Sequence, residues 1–279
     1  QTKDFWMAVK SGVKTILISP EFLYVVEPAR NSNVLYNREI ATRLSLFLWS
    51  SIPDRELAIL ANKGKLSDKA TLRAQVDRML QSPKAKSLVD NFTGQWLWLR
   101  NIGSMPPDRR SGKVYYDFKL DKAMKKESEM LFEYILNNNR NIDEFIHADY
   151  AFLNEGLATL YGIEGIKGSE LRKVKLNDPN RGGLIGQASF FTVTANGVES
   201  QPVKRGVWML ENILGMPPAD PPPDVPAIPP DTSKAKTIRE KMDLHRQNAT
   251  CAECHQKIDP WGLTFEKLSL IHISEPTRL

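Results

Sequence analysis

The chain has 279 residues, 41% hydrophobic and 25% charged, a balance that excludes intrinsic disorder and allows one large or two ordinary domains. Its formal net charge of +5 is interleaved with Asp and Glu instead of standing in basic blocks, which argues against a nucleic-acid partner. No apolar run approaches the roughly 18 residues of a membrane span, the candidate at residues 44–49 included, so no transmembrane segment is expected.

Phe5, Trp6, Val9, Val13 and Ile16 recur at helical spacing until Ser19-Pro20 interrupts them. In residues 37–49, Ile40, Leu44, Phe47 and Leu48 share one face, and Pro53 near a first turn starts the next helix. Ser67-Asp68 caps a helix through Leu72, Val76, Met79 and Leu80, and Ser82-Pro83 caps another through Val89, Phe92, Trp96 and Leu99. Residues 121–136 read as a longer amphipathic helix, with Met124, Leu131, Ile135 and Leu136 inward and Glu127, Glu129 and Glu133 outward. A helix over residues 154–161 follows, and Arg181-Gly182-Gly183 opens one through Leu184, Ile185 and Ala188. Ser200-Gln201-Pro202 starts a helix through Val203, Val207, Leu210 and Leu214 that Gly215 terminates. Residues 217–230, rich in Pro, form an extended strap, and residues 236–248 return to helical pattern. Strand signals are confined to residues 173–176 and 191–194. The fold class is therefore mainly α, a helical module followed by a smaller, helical, Pro-rich module with little strand.

The chemistry is concentrated at Cys251-Ala252-Glu253-Cys254-His255, which holds both cysteines of the chain. Two thiols at this spacing can add to the two vinyl groups on one edge of a haem, and the adjacent imidazole then lies under the iron as its proximal ligand. The expected cofactor is haem c. Three other readings compete. A disulfide between Cys251 and Cys254 would close a loop too small to stabilise much and would leave His255 unexplained. A thioredoxin-like pair needs a βαβ context that this sequence lacks. A structural zinc site wants a fourth ligand, and there is no second cysteine pair. The distal iron ligand is sought at His245, ten residues before His255, with Met216 and Met242 as alternatives. Trp261, Lys204 and Arg205 are candidates for the haem environment, the Trp on the ring edge and the cations on the propionates, and Arg181 is a further candidate for the propionates. His147 reads as a partly buried structural histidine, and Trp96, Trp98 and Trp208 as core anchors. Acidic pairs such as Asp54 with Glu56, or Glu127 with Glu129, read as solvated helix faces.

Several longer strings carry a resemblance. ISPEFL at 18–23, ATRLSLFLWS at 41–50, NFTGQW at 91–96, ADYAFLN at 148–154, RGGLIGQ at 181–187, RGVWMLEN at 205–212 and CAECHQKIDPWG at 251–262 together resemble the planctomycete-type multi-domain cytochrome c proteins, extracytoplasmic chains assembled from several modules around c-type haem sites. That resemblance implies an extracytoplasmic location and a module boundary near residue 170. It divides the chain into the tail of an upstream module (1–30), a helical module of unknown function (31–170) and a haem c module (171–267). The string LSLIHISEPTR at 268–278 resembles a translated sequencing adapter, so residues 268–279 are set apart, and the chain reads as a fragment. The expected role is electron transfer with a redox partner protein or further haem modules of the same polypeptide. The alternatives are a haem-dependent oxidoreductase acting on an organic substrate and an interaction module that carries haem. Sequence motifs for serine hydrolysis, nucleotide loops or dinucleotide binding are not found.

Overall fold

A computed structural model describes residues 2–25, 36–110, 112–178, 181–198, 200–219, 240, 242–243, 246 and 249–266. The chain forms two compact units, residues 1–85 and residues 86–279. Helices dominate both, and the sheet among the described residues has two strands.

In the first unit, α1 (Thr2–Leu17) ends before Ser19, whose hydroxyl caps α2 (Pro20–Leu23) by accepting from Phe22 N. The apolar stripe of α1 is real but not covered among the described residues: Phe5, Trp6 and Ile16 are all more than half exposed. The core of the unit lies among α3 (Asn37–Trp49), α4 (Arg55–Asn62) and α5 (Lys69–Leu80), where Leu48, Leu57, Leu66 and Met79 are buried. The Trp49 indole N–H donates to the Met79 carbonyl at 2.9 Å, tying the end of α3 to that of α5. Asp54 caps α4 and also accepts two hydrogen bonds from Arg78, at 2.8 and 3.2 Å. The Arg78 hydrogen bonds hold the Asp54 carboxyl below its ordinary range. Asp54 is thus a cap and a tie between helices, not part of a solvated face.

The second unit begins with a continuous helical stretch, α6 (Lys86–Leu88), a π segment (Val89–Thr93) and α7 (Gly94–Trp96). After α8 (Lys113–Phe118), the long α9 (Leu120–Asn137) is the spine. Strand β1 (Tyr150–Leu153) pairs antiparallel with β2 (Arg172–Lys175), with Tyr150 opposite Lys175 and Leu153 opposite Arg172, and α10 (Glu155–Tyr161) lies between them in sequence. Leu131 and Ile135 of α9, Phe152 of β1, Phe190 and Phe191 of α11 (Ala188–Val193), and Trp208 of α12 (Pro202–Trp208) form one buried cluster. A second cluster joins α8, α9 and α10 through Tyr115, Leu120, Met124 and Leu157. A second π segment (Met209–Ile213) follows α12, and its Asn212 carbonyl accepts from the Trp96 indole at 2.5 Å.

Two expectations are corrected here. Residues 191–194 are no strand: Phe191, Thr192 and Val193 belong to α11, in which every residue is buried, so no periodicity could separate helix from strand. Glu127 and Glu129 are not outward; they are 0% and 5% exposed. Glu127 accepts from the Tyr161 hydroxyl at 2.7 Å, and the same hydroxyl accepts from Ala188 N at 2.7 Å. Arg181 lies over the Tyr161 ring, 4.5 Å from its centroid. Beside this group, Ser128 Oγ donates to Gln187 Oε1 at 2.6 Å and lies 2.7 Å from Ser189 Oγ. The RGG string has a steric reason: Gly183 is left-handed (φ 59°), and a Cβ there would strike the backbone of Phe145 and Ile146.

Burial drives the Glu127 carboxyl up to about 8, against the Tyr161 hydrogen bond and the Arg181 charge, which lower it. The unfolded chain releases that proton near the ordinary value of 4.5. Between these limits the folded state binds the extra proton, so the contribution to stability is complete below pH 4.5 and is lost as pH rises toward 8. Glu127→Gln, which keeps an acceptor for Tyr161, is therefore expected to flatten the fall in stability across that window, by up to about 1.4 kcal/mol per pH unit. Urea unfolding of both proteins at pH 5, 6 and 7 measures it, and equal slopes would refute a protonated Glu127.

Candidate haem-attachment site

Cys251, Cys254 and His255 stand on α13 (Ala249–Leu263). Positions i, i+3 and i+4 of a helix share a side, so one helix presents two thiols and an imidazole on the same side without help from tertiary structure. Cys251 is 4% exposed and Cys254 half-buried, and both are free thiols, not a disulfide. One further turn along, Asp259 Oδ1 lies 2.8 Å from His255 Nδ1. The Asp259 side chain is buried, and its Oδ2 faces Arg246 Nη1 at 3.5 Å. Arg246 is also paired with Asp243. With a carboxylate against Nδ1, that nitrogen carries the hydrogen, and Nε2 is the nitrogen left to ligate a metal.

From sequence, Pro260 and Gly262 make the segment Ile258–Gly262 read as a turn just after His255; instead α13 runs through it to Leu263. Pro260 removes only one donor, the one that would bond the Gln256 carbonyl. The helix persists because its other side is held against α12. Gly206 and Gly262 face that contact: a Cβ on Gly206 would strike the Ile258 carbonyl, and one on Gly262 the Pro202 carbonyl. Two backbones therefore meet where any side chain would part them. Just beyond α13, Phe265 packs edge-on against Phe190, with ring centroids 5.3 Å apart.

Arg205 of α12 is 1% exposed. Its Nη1 donates to Glu266 Oε1 at 2.6 Å, its Nη2 to Ser200 Oγ at 3.2 Å, and Ser200 donates in turn to Glu266 at 2.5 Å. Its guanidinium also lies over the Phe191 ring at 5.0 Å. Burial lowers the Arg205 pKa, and the Glu266 carboxylate opposes that shift.

The remaining candidates are dispersed. Trp261 is 41% exposed on α13, Lys204 is half-buried on α12, and Arg205 is engaged by Glu266. Met216 is 65% exposed, Met242 is 6% exposed, and His245 lies outside the described residues, as do most of the strap and of residues 236–248. Arg181 is buried in the Glu127–Tyr161 group. His147 is exposed, not partly buried. Trp208 is a core anchor at 1% exposure, and Trp96 and Trp98 pack against the same cluster. Sequence reasoning passed over Asp259 as a partner of His255, although its i+4 position was a readable signal, and passed over Arg246 and Glu266, which carried none.

Among the described residues, no three His, Cys, Asp or Glu side chains gather to hold a metal ion. A structural zinc needs four protein ligands, whereas a haem needs from α13 only two thiols and one imidazole. The residues present fit haem c. No helix of the described residues is long and apolar enough to cross a membrane.

Residues 35–163 match the family model PSD4, a protein of unknown function (DUF1592), and residues 181–271 match PSCyt3, a protein of unknown function (DUF1588). The two matches, side by side in one chain, support planctomycete-type cytochrome modules, the second of them spanning the Cys-x-x-Cys-His string. No curated protein and no solved structure matches the chain.

Two substitutions test the mount of α13. Gly262→Ala is expected to cost about 1–3 kcal/mol or more through forced separation of α12 and α13. Glu266→Gln, which leaves a buried guanidinium without its counter-charge, is expected to cost about 3 kcal/mol. Both are read as urea midpoints; wild-type midpoints would refute this packing.

Proposed function

We propose that this chain carries one haem c, joined to Cys251 and Cys254 by thioether bonds with His255 as proximal ligand, and that it passes electrons as part of a larger extracytoplasmic cytochrome. The observation that carries the reading is the placing of both thiols and an imidazole oriented by Asp259 at positions i, i+3 and i+4 of a single packed helix. Each thiol adds its S–H across a vinyl group, sulfur to one carbon and hydrogen to the other, so attachment needs no oxidant. When bound, the group supplies a one-electron iron couple. His255 is held by Asp259, and α13 is held by Gly206, Gly262 and the Arg205–Glu266 pair, which keeps ligand and anchors in fixed relation. Of the two methionines considered as distal ligand, buried Met242 is favoured over exposed Met216.

Away from α13, the second unit also carries a charged surface groove. A groove of about 520 Å³ is lined by Lys86, Lys119, Lys122, Lys125, Lys126 and Glu129, among others. It pairs cations with carboxylates, Lys125 and Lys126 each 3.6 Å from Glu129. The partner we propose is a redox protein or a further haem module of the same polypeptide.

The test is expression of the full chain in a periplasm equipped for haem c maturation. Haem staining that survives a denaturing gel is expected, with each of Cys251→Ser and Cys254→Ser leaving a single thioether and the double variant losing the stain. A low-spin reduced spectrum supports electron transfer. A high-spin spectrum that shifts with added ligands would overturn electron transfer in favour of catalysis, and stoichiometric zinc without covalent haem would overturn the whole reading.

A further inference from the structure

A carboxylate buried with nothing to do is expensive, and Asp259 is 0% exposed on the same helix as the proposed iron ligand. Its two oxygens have separate neighbours. Oδ1 takes the hydrogen of His255 Nδ1 at 2.8 Å, and Oδ2 faces the Arg246 guanidinium at 3.5 Å. Arg246 is shared with Asp243 and is 31% exposed, so it offsets the charge of Asp259 only in part. No backbone carbonyl of α13 can serve His255 in this way, because the helix turns its carbonyls along its axis. The carboxylate is the group that the helical period places there.

We infer that Asp259 is a positioning residue that sets the electron-donor strength of His255 and biases the proposed centre toward oxidised iron, and that Arg246 limits the bias. The inference rests on the haem c reading above. An imidazole whose Nδ1–H is shared with a carboxylate has partial imidazolate character, so its Nε2 donates more strongly to iron and stabilises Fe(III) relative to Fe(II). The couple remains one electron, with the Nδ1 hydrogen held between His255 and Asp259 in both states. Withdrawal of Asp259 by the Arg246 charge weakens the sharing. The two side chains therefore act on the potential in opposite directions.

The experiment is a spectroelectrochemical titration of the haem-loaded full chain and of two variants. Asp259→Asn, which offers no anionic acceptor, is expected to shift the ratio of reduced to oxidised protein about tenfold toward reduced at a fixed ambient potential, a rise of about 59 mV in midpoint. Arg246→Gln is expected to shift the ratio by a smaller factor toward oxidised. Opposite signs are what the inference demands, since loosened packing alone would expose both sites to solvent and move them together. Unchanged midpoints, or shifts of the same sign, with covalent haem retained, would overturn it. If Asp259→Asn fails to fold, the sign of the Arg246→Gln shift decides alone. Loss of covalent haem from the wild type is a failure of the haem c reading and not of this inference, so the two remain distinguishable.

Discussion

The close approach of α12 and α13 through Gly206 and Gly262 is the constraint on which the site depends. Because a Cβ at either position would meet a carbonyl oxygen of the facing helix, the two backbones fix each other's height and rotation. A helix set this way cannot roll without a clash, and its side chains inherit the precision. Arg205 and Glu266 add direction to that contact. Burying a guanidinium costs several kcal/mol, and its pair with a carboxylate recovers the cost only where geometry is good. Here Ser200 bonds both partners, which ties the pair to one register of α13 against α12, while Arg205 Nε has no hydrogen-bond partner among the described residues.

Within α13, distance is supplied by the helical period. Cys251, Cys254, His255 and Asp259 stand on one helix, and His255 meets Asp259 one turn along without help from a loop or a distant strand. What tertiary structure contributes is the environment: a wall behind Cys251, burial for Asp259, and Arg246 from the preceding segment. On the proposed haem c reading, this separates attachment, for which the helix supplies the spacing by itself, from tuning, which depends on how the helix is packed.

That separation explains what could be read from sequence. The Cys-x-x-Cys-His string, the helices capped at Asp54 and Asp68, and α3 from residue 37 to 49 follow from local patterns of polar caps and apolar spacing. The β2 strand was within one residue of expectation, whereas β1 was missed because all four of its residues are buried and show no alternation. Glu127 and Glu129 read as solvated because carboxylates usually are; their burial depends on Tyr161 and on Lys125 and Lys126, partners that periodicity does not announce. The Ile258–Gly262 segment read as a turn because Pro and Gly usually break helices. Here Pro costs one hydrogen bond and Gly is required by a neighbour 60 residues away in sequence, so tertiary contact overrode local preference.

Among the ionisable groups buried in the second unit, Glu127, Arg205 and Asp259 are each compensated differently. Glu127 is held protonated by desolvation, Arg205 keeps its charge against Glu266, and Asp259 shares a hydrogen with His255 while facing Arg246. Compensation by protonation suits a group that has only to be tolerated. Compensation by fixed partners would suit the proposed one-electron centre, because dipoles and counter-charges already in position need not rearrange when charge changes. The buried groups beside α13 are of the fixed kind, and the protonated one lies elsewhere, among α9, α10 and α11. A site that moved its carboxylates to answer each electron would spend the driving force on reorganisation; one held by two facing glycines and a buried ion pair does not.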